Sequence, residues 1–281
     1  MSQSLNIRGW PSEVFNVTNY KRFTLGTRMH LSGGRVFRYA QNGASQISAG
    51  YLVQSPQNDT LLANRPLASV HQVGASTLTL SVSLNSVIAL NTYEDGLVCI
   101  NDGTGQGYLY HIGFNPEIVA TSSTLLLYLD NSTLQTTMTT ASEATVIKNR
   151  FKGTTLAITD PDEPVVGIAP VTVAANNYYW VQTGGPTVAL QDGTLFAYRP
   201  ITHSNTVKGA VRNLVNIIPS IGTPTEEGSI LITTLNDDGV GYKETLARVS
   251  GIGVIPAMNI GYAIDPRADT EMCLVHLSIE I

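Results

Sequence analysis

The sequence predicts an all-β fold, mainly antiparallel barrel or sandwich elements joined by long loops, with very little helix. Three observations carry that expectation. Apolar residues recur with a period of two, turn-forming residues interrupt them at short intervals, and one stretch alone keeps helical spacing. The chain has 281 residues, 43% of them hydrophobic, enough for one large β domain or two smaller ones. Charged residues make up 13%, against about 25% in ordinary soluble domains. Thr, Ser, Asn and Gly fill the difference, a composition that suits strands, turns and protein-covered surface better than a free cytosolic enzyme.

Taken in order, the first thirty residues lack clean alternation and contain Gly9-Trp-Pro11. Residues 1–30 read as an extended arm reaching onto a neighbour, although a plain N-terminal strand also fits. Residues 31–281 read as the β-rich body, with a subdivision near 150–165. Within the body, Leu78, Leu80, Val82 and Leu84 alternate with Thr77, Thr79, Ser81 and Ser83, the pattern of a half-buried antiparallel strand. Runs at Ser123–Leu129, Ala144–Ile147 and Gly228–Thr234 add β-branched or apolar strands. At the end of the chain Cys273, Val275, Leu277, Ile279 and Ile281 fall on one side, and Leu274, His276, Ser278 and Glu280 on the other.

Between these runs lie Ser32-Gly-Gly34, Asn42-Gly43, Asn101-Asp-Gly103, Asp160-Pro-Asp162, Gly184-Gly-Pro186, Gln191-Asp-Gly193 and Asn236-Asp-Asp-Gly239, all of turn composition. Helical candidates are scarce; the best is Val207–Ile218, ended by Pro219, and the same residues would also form a strand. No fixed-period repeat marks a solenoid or propeller.

The search for chemistry returns structural readings. Asn101–Gly107 carries glycines at 103, 105 and 107 but lacks the Gly-Lys-Ser/Thr ending of a phosphate loop, and it reads as a hairpin connection. Asp160, Asp162 and Glu163 are interrupted by prolines and read as an acidic turn rather than a calcium loop. The five histidines show no paired metal spacing, no GxSxG elbow occurs, and Cys99 and Cys273 read as two buried thiols. Tyr178-Tyr-Trp180 reads as core and interface packing. No catalytic, cofactor or metal residue is assigned. Met1–Trp10 lacks the pattern of a signal peptide and no stretch is long enough for a membrane helix, so the chain reads as soluble and unprocessed.

Charge is uneven. Net charge is −5, yet residues 1–58 hold Arg8, Lys21, Arg22, Arg28, Arg35 and Arg38 against Glu13 alone, and no acid occurs between Glu13 and Asp59. Such an asymmetry reads either as a segment for docking on an acidic partner or as chance clustering on a solvated face. The acidic total and the small number of bases argue against nucleic acid.

Several stretches, in this order, carry a resemblance: Leu25-Gly-Thr27, Gly34-Arg-Val-Phe-Arg-Tyr-Ala40, Ala49-Gly-Tyr-Leu52, Val98–Tyr108 with His111-Ile112, Asn177–Pro186, Ile260-Gly-Tyr-Ala263 and Leu274–Ile279. Together they are similar to virion structural proteins of tailed bacteriophages, a diffuse group that includes capsid decoration or cement proteins. Residues 197–251 carry none of it. The resemblance implies a non-enzymatic β-rich particle protein on the capsid surface, made in the bacterial cytoplasm, commonly trimeric. Its partners would be the major capsid protein and its own copies, with no nucleic acid and no membrane. Lys21, Arg22, Phe23, Arg28, Arg35, Phe37 and Arg38 are then the expected capsid-contact residues, the bases meeting acidic lattice and the two phenylalanines anchoring it. A tail, baseplate or host-adhesion component is the alternative within structural proteins. A carbohydrate-active β-sandwich enzyme is the alternative outside them, since paired carboxylates meet only in three dimensions.

Overall fold

The computed structural model describes residues 6–83, 86–158, 163–214, 230–235, 242–247 and 258–279. They are all-β: the described helix consists of short 3-10 turns at Pro11–Phe15, Ser32–Gly34 and Thr60–Leu62. The strands, in chain order, are β1 (Asn6–Arg8), β2 (Arg28–His30), β3 (Val36–Asn42), β4 (Leu52–Gln54), β5 (Arg65–Pro66), β6 (Thr77–Ser81), β7 (Leu97–Asp102), β8 (Leu109–Phe114), β9 (Thr124–Leu129) and β10 (Glu143–Ile147). They continue with β11 (Lys152–Leu156), β12 (Val165–Ile168), β13 (Tyr178–Leu190), β14 (Pro200–His203), β15 (Val211–Asn213), β16 (Ile230–Leu235), β17 (Tyr242–Ala247), β18 (Gly261–Asp265) and β19 (Met272–Ser278).

Two rings of strands close. In the first, β3 pairs with β11, β11 with β4, β4 with β12, β12 with β13, and β13 returns to β3. β2 and then β1 extend this sheet beyond β3, while β19, β18, β14 and β15 extend it beyond β13. Phe37, Tyr39, Ile47, Val53, Tyr179 and Trp180 fill one core here; Leu52, Ile168, Ile201, Cys273, Val275 and Leu277 fill a second. The other ring runs β5-β10-β7-β8-β9-β6, all antiparallel, and the bridge of Leu67 to Leu80 closes it. Its core is Leu67, Leu78, Leu80, Val98, Ile100, Ile112, Leu125, Leu127 and Val146. Each ring closes on itself, while β1 and β15 remain the edge strands of the larger sheet. The strands β16 and β17 pair separately, from Ile230 opposite Ala247 to Leu235 opposite Tyr242.

The alternating runs behave as their periodicity requires. Leu78, Leu80 and Val82 are buried while Thr77, Thr79 and Ser81 are not, and Cys273, Val275, Leu277 and Ile279 point inward. Leu84 and Ile281 lie outside the described residues, as do Gly228, Asp160–Asp162 and Asn236–Gly239.

Two expectations are corrected. The helical spacing from Val207 gives a turn and then β15, antiparallel to β14, because Val211 gains a buried place beside Ile201; residues 215–219 lie outside the described residues. Gly184-Gly-Pro186, of turn composition, runs inside β13, the longest strand. Gly185 takes φ 79° and the register against β3 slips between Gln182 and Gly184, so the dipeptide makes a bulge instead of a reversal.

Residues 6–30, which the sequence presents as an arm, join the first sheet through β1 and β2 and put Val14, Leu25 and Met29 into its core. The second ring lies wholly between β4 and β11, which pair with each other through Gln54 opposite Thr155 and Val53 opposite Leu156. It is therefore an insertion into the first.

Candidate functional site

The register of β1, β2 and β3 builds the basic face. Asn6 lies opposite Arg28 and Arg28 opposite Arg38; Arg8 lies opposite His30 and His30 opposite Val36. The intervening Met29 and Phe37 are buried and Ile7 packs on them, so the period of two places Arg8, Arg28, His30 and Arg38 on the outward face. Like charges set directly across a strand pair cost stability, and the titration of the neighbours reflects it. Burial, then Arg28, Arg38 and Arg8, hold His30 below the usual imidazole range. Burial, then Arg28 and Arg150, lower the Arg38 guanidinium, which also donates from Nη1 to the Gly26 carbonyl at 3.0 Å.

The other expected contact residues have partners inside the molecule. Lys21 Nζ lies 2.8 Å from Glu94 and 2.6 Å from Asp95, both in the loop before β7. Arg22 pairs with Glu13 at 2.6 Å. Phe23 is half-buried, its ring 5.2 Å from Tyr39 and 5.4 Å from Trp180. Arg35 donates from Nε and Nη2 to Gln182 Oε1, at 3.3 and 2.9 Å, with its guanidinium over the Phe37 ring. Phe37 is 0% exposed, so it anchors the core of its own molecule and has no surface to offer a partner. The structure thus brings Arg28 and Arg38 together and separates them from Lys21, Arg22 and Arg35.

Sequence reasoning missed the aromatic residues of the same segment. Trp10 is 79% exposed, Tyr20 64% and Phe15 60%. The segment that carries them is held at both ends: Gly9 N–H donates to the His30 carbonyl, and Thr18 and Tyr178 exchange backbone hydrogen bonds. The absence of alternation around Gly9-Trp-Pro11 was the available signal. Arg8 lay in the same basic stretch, residues 1–58, whereas nothing near Arg150 in the sequence linked it to this face.

Elsewhere, Asn101–Gly107 joins β7 to β8 as a hairpin, with Gly107 N–H donating to Ile100. Glu163 accepts from Asn58 N–H at 3.0 Å. Among the described residues no three His, Cys, Asp or Glu side chains are grouped to hold a metal, and no helix is long and apolar enough to cross a membrane. Cys99 and Cys273 are free thiols; Cys273 is buried, which raises it to about 11, whereas Cys99, expected to be buried as well, is only partly covered on β7. Three concavities stand out. A shallow apolar one of about 540 Å³ lies over β13 and β19 beside Phe15, Val188, Met272 and Leu274. A polar one of about 420 Å³ lies where the two rings meet, and a third of about 370 Å³ is lined by His111, Asp95 and Asp130.

The chain matches no protein-family model, and neither a curated protein nor a solved structure is similar to it.

Proposed function

We propose that this protein is a non-enzymatic structural component of a tailed-phage virion that binds the outer capsid lattice and stabilises it, acting as a trimer. One observation carries the reading: the segment between β1 and β2 turns Trp10, Phe15 and Tyr20 outward, while β1, β2 and β3 present Arg8, Arg28 and Arg38. Aromatics and arginines are the residues that anchor interfaces, and a folded chain gains nothing from exposing three large aromatics to water.

The physics is linkage. A ligand that binds only the assembled shell stabilises it by about 2.7 kcal/mol per site at a hundredfold excess over Kd. Three copies engaging one threefold position raise the effective concentration further.

Mixing the purified protein with empty expanded capsids and imaging them is the test. Regular density on the outer surface is the expected result, weakened in the Arg28→Glu variant, in Trp10→Ala and by added salt. Binding to tails but not to tail-less capsids would move the protein to the tail. Full occupancy by both variants would remove the N-terminal face from the contact. Deleting the first thirty residues is the poorer experiment, since Val14, Leu25 and Met29 belong to the core.

A further inference from the structure

We propose that Asp102 is a site of spontaneous backbone modification, turning into isoaspartate through a succinimide closed on Gly103. The chain holds Asp–Gly pairs at Asp95, Asp102, Asp192 and Asp238 and an Asn–Gly pair at Asn42. In such pairs the missing Cβ leaves the glycine nitrogen room to close on the preceding side chain. Asp238 lies outside the described residues. Among the other pairs, the fold sets Asp102 apart.

At Asn42 the Gly43 N–H donates to the Thr154 carbonyl at 2.8 Å, and the Asn42 amide nitrogen donates to the carbonyls of Ser45, Val173 and Ala174. At Asp95 the Gly96 N–H donates to the Tyr93 carbonyl at 2.9 Å, while the carboxylate accepts from Leu25 N–H and Lys21. At Asp192 the Gly193 N–H donates to Asp269 at 2.7 Å, and the carboxylate accepts from the Ser204 and Thr206 hydroxyls. Each of these side chains is tied down and each glycine nitrogen is turned elsewhere. At Asp102 the Gly103 N–H donates to Asp102 Oδ1 itself, at 2.7 Å. A nitrogen bonded in this way lies about 3–3.5 Å from the carboxyl carbon, the separation of a near-attack pair.

The chemistry needs water alone. The Gly103 nitrogen bonds to Cγ of the Asp102 carboxylic acid, the C–OH bond breaks, and the hydroxyl leaves as water with the amide proton. Water then adds to the main-chain carbonyl of Asp102 in the ring and breaks its bond to Gly103. The chain now runs through Cγ, with the former main-chain carbonyl released as a carboxylate. Asp102 and Gly103 are both exposed, so water reaches the ring. The product lengthens by one methylene a loop that is packed closely: a Cβ on Gly103 would lie 2.7 Å from the Ala141 carbonyl oxygen, and Ser142 Oγ donates to the Thr104 carbonyl at 2.8 Å. The modification therefore marks the age of a molecule on the hairpin between β7 and β8. It does not depend on the capsid reading, and each can fail without the other.

The test is to age the full chain for weeks at neutral pH in water enriched in heavy oxygen, then map its peptides by electron-transfer fragmentation, which separates aspartate from isoaspartate. Isoaspartate at Asp102 should exceed that at Asp95, Asp192 and Asn42 about tenfold, and each modified Asp102 should carry heavy oxygen from the ring-opening water. A parallel sample in urea loses the bonds that distinguish the pairs, so there the Asp–Gly sites should react alike and Asn42 should lead. Asp102→Glu, whose side chain would have to close a six-membered ring, should abolish the product. Peptide mapping of the native chain decides even if that variant misfolds. Equal isoaspartate at Asp102, Asp95 and Asp192 in the native chain, or slower reaction of Asp102 folded than in urea, would overturn the proposal.

Discussion

Gln182 is the side chain around which β13 is able to bend. Its Nε2 donates to the carbonyls of Gly184 and Pro186, at 3.0 and 2.9 Å, and its Oε1 accepts from Arg35, so one buried amide satisfies the groups that the bulge frees. Gly185 sits at φ 79°, and a Cβ there would lie 2.5 Å from the Gly34 carbonyl oxygen. Gly185→Ala should therefore lose about 1–3 kcal/mol, measured by chemical denaturation, and an unchanged midpoint would show that the bulge is not strained. His71 gives a pH prediction. It is buried, its Nε2 accepts from the Thr79 N–H at 3.1 Å, and burial lowers its pKa below 6.5. The unfolded chain then binds the proton first, so stability is complete above pH 6.5 and falls as the pH drops from there toward the folded value. His30, shifted the same way, adds to the slope. Denaturation midpoints across that range should decline in the native chain and decline less in His71→Gln.

At the level of elements, the loop between Leu90 and Gly96 fastens one ring to the other. Asp95 accepts the Leu25 N–H at 3.0 Å as well as the Lys21 ammonium, and Asn149 Nδ2 donates to the Asp95 carbonyl at 2.9 Å. Asp95→Asn keeps the backbone at φ 61° within reach of its residue type and should cost about 1 kcal/mol or less in stability. Faster amide exchange at Leu25 and Asn149 is the sharper readout. This joint was invisible in the sequence because Lys21 and Asp95 are far apart along it. Strands with one wet face were legible: Thr77–Ser81 and Met272–Ser278 declare themselves by alternation. Leu52–Gln54 and Val165–Ile168 do not, because both of their faces are buried and the period disappears. Among the expected contact residues, the sequence could not tell Arg28 and Arg38 on the outer face from Arg35 and Phe37 beneath it. That distinction is set by the register of three strands, which depends on partners elsewhere.

For the whole molecule, the nested arrangement makes two units of unequal independence. The inserted ring has its own core and closes on itself through Leu67 and Leu80, so residues 57–149 expressed alone should unfold cooperatively, with a single thermal transition by near-ultraviolet circular dichroism. A featureless spectrum would show that it needs its host. The surrounding ring has the opposite property. Its β3 finds a closing partner only in β13, and β13 in turn receives β19 from the far end of the chain. During synthesis, the inner ring has all its strands once Ile147 has left the ribosome, while the outer one still waits with its N-terminal half exposed. A nascent chain stalled with residue 150 already clear of the ribosome should protect the inner ring from protease and leave Phe37 and Tyr39 open to chaperones, so the order of maturation runs from the inside of the gene outward.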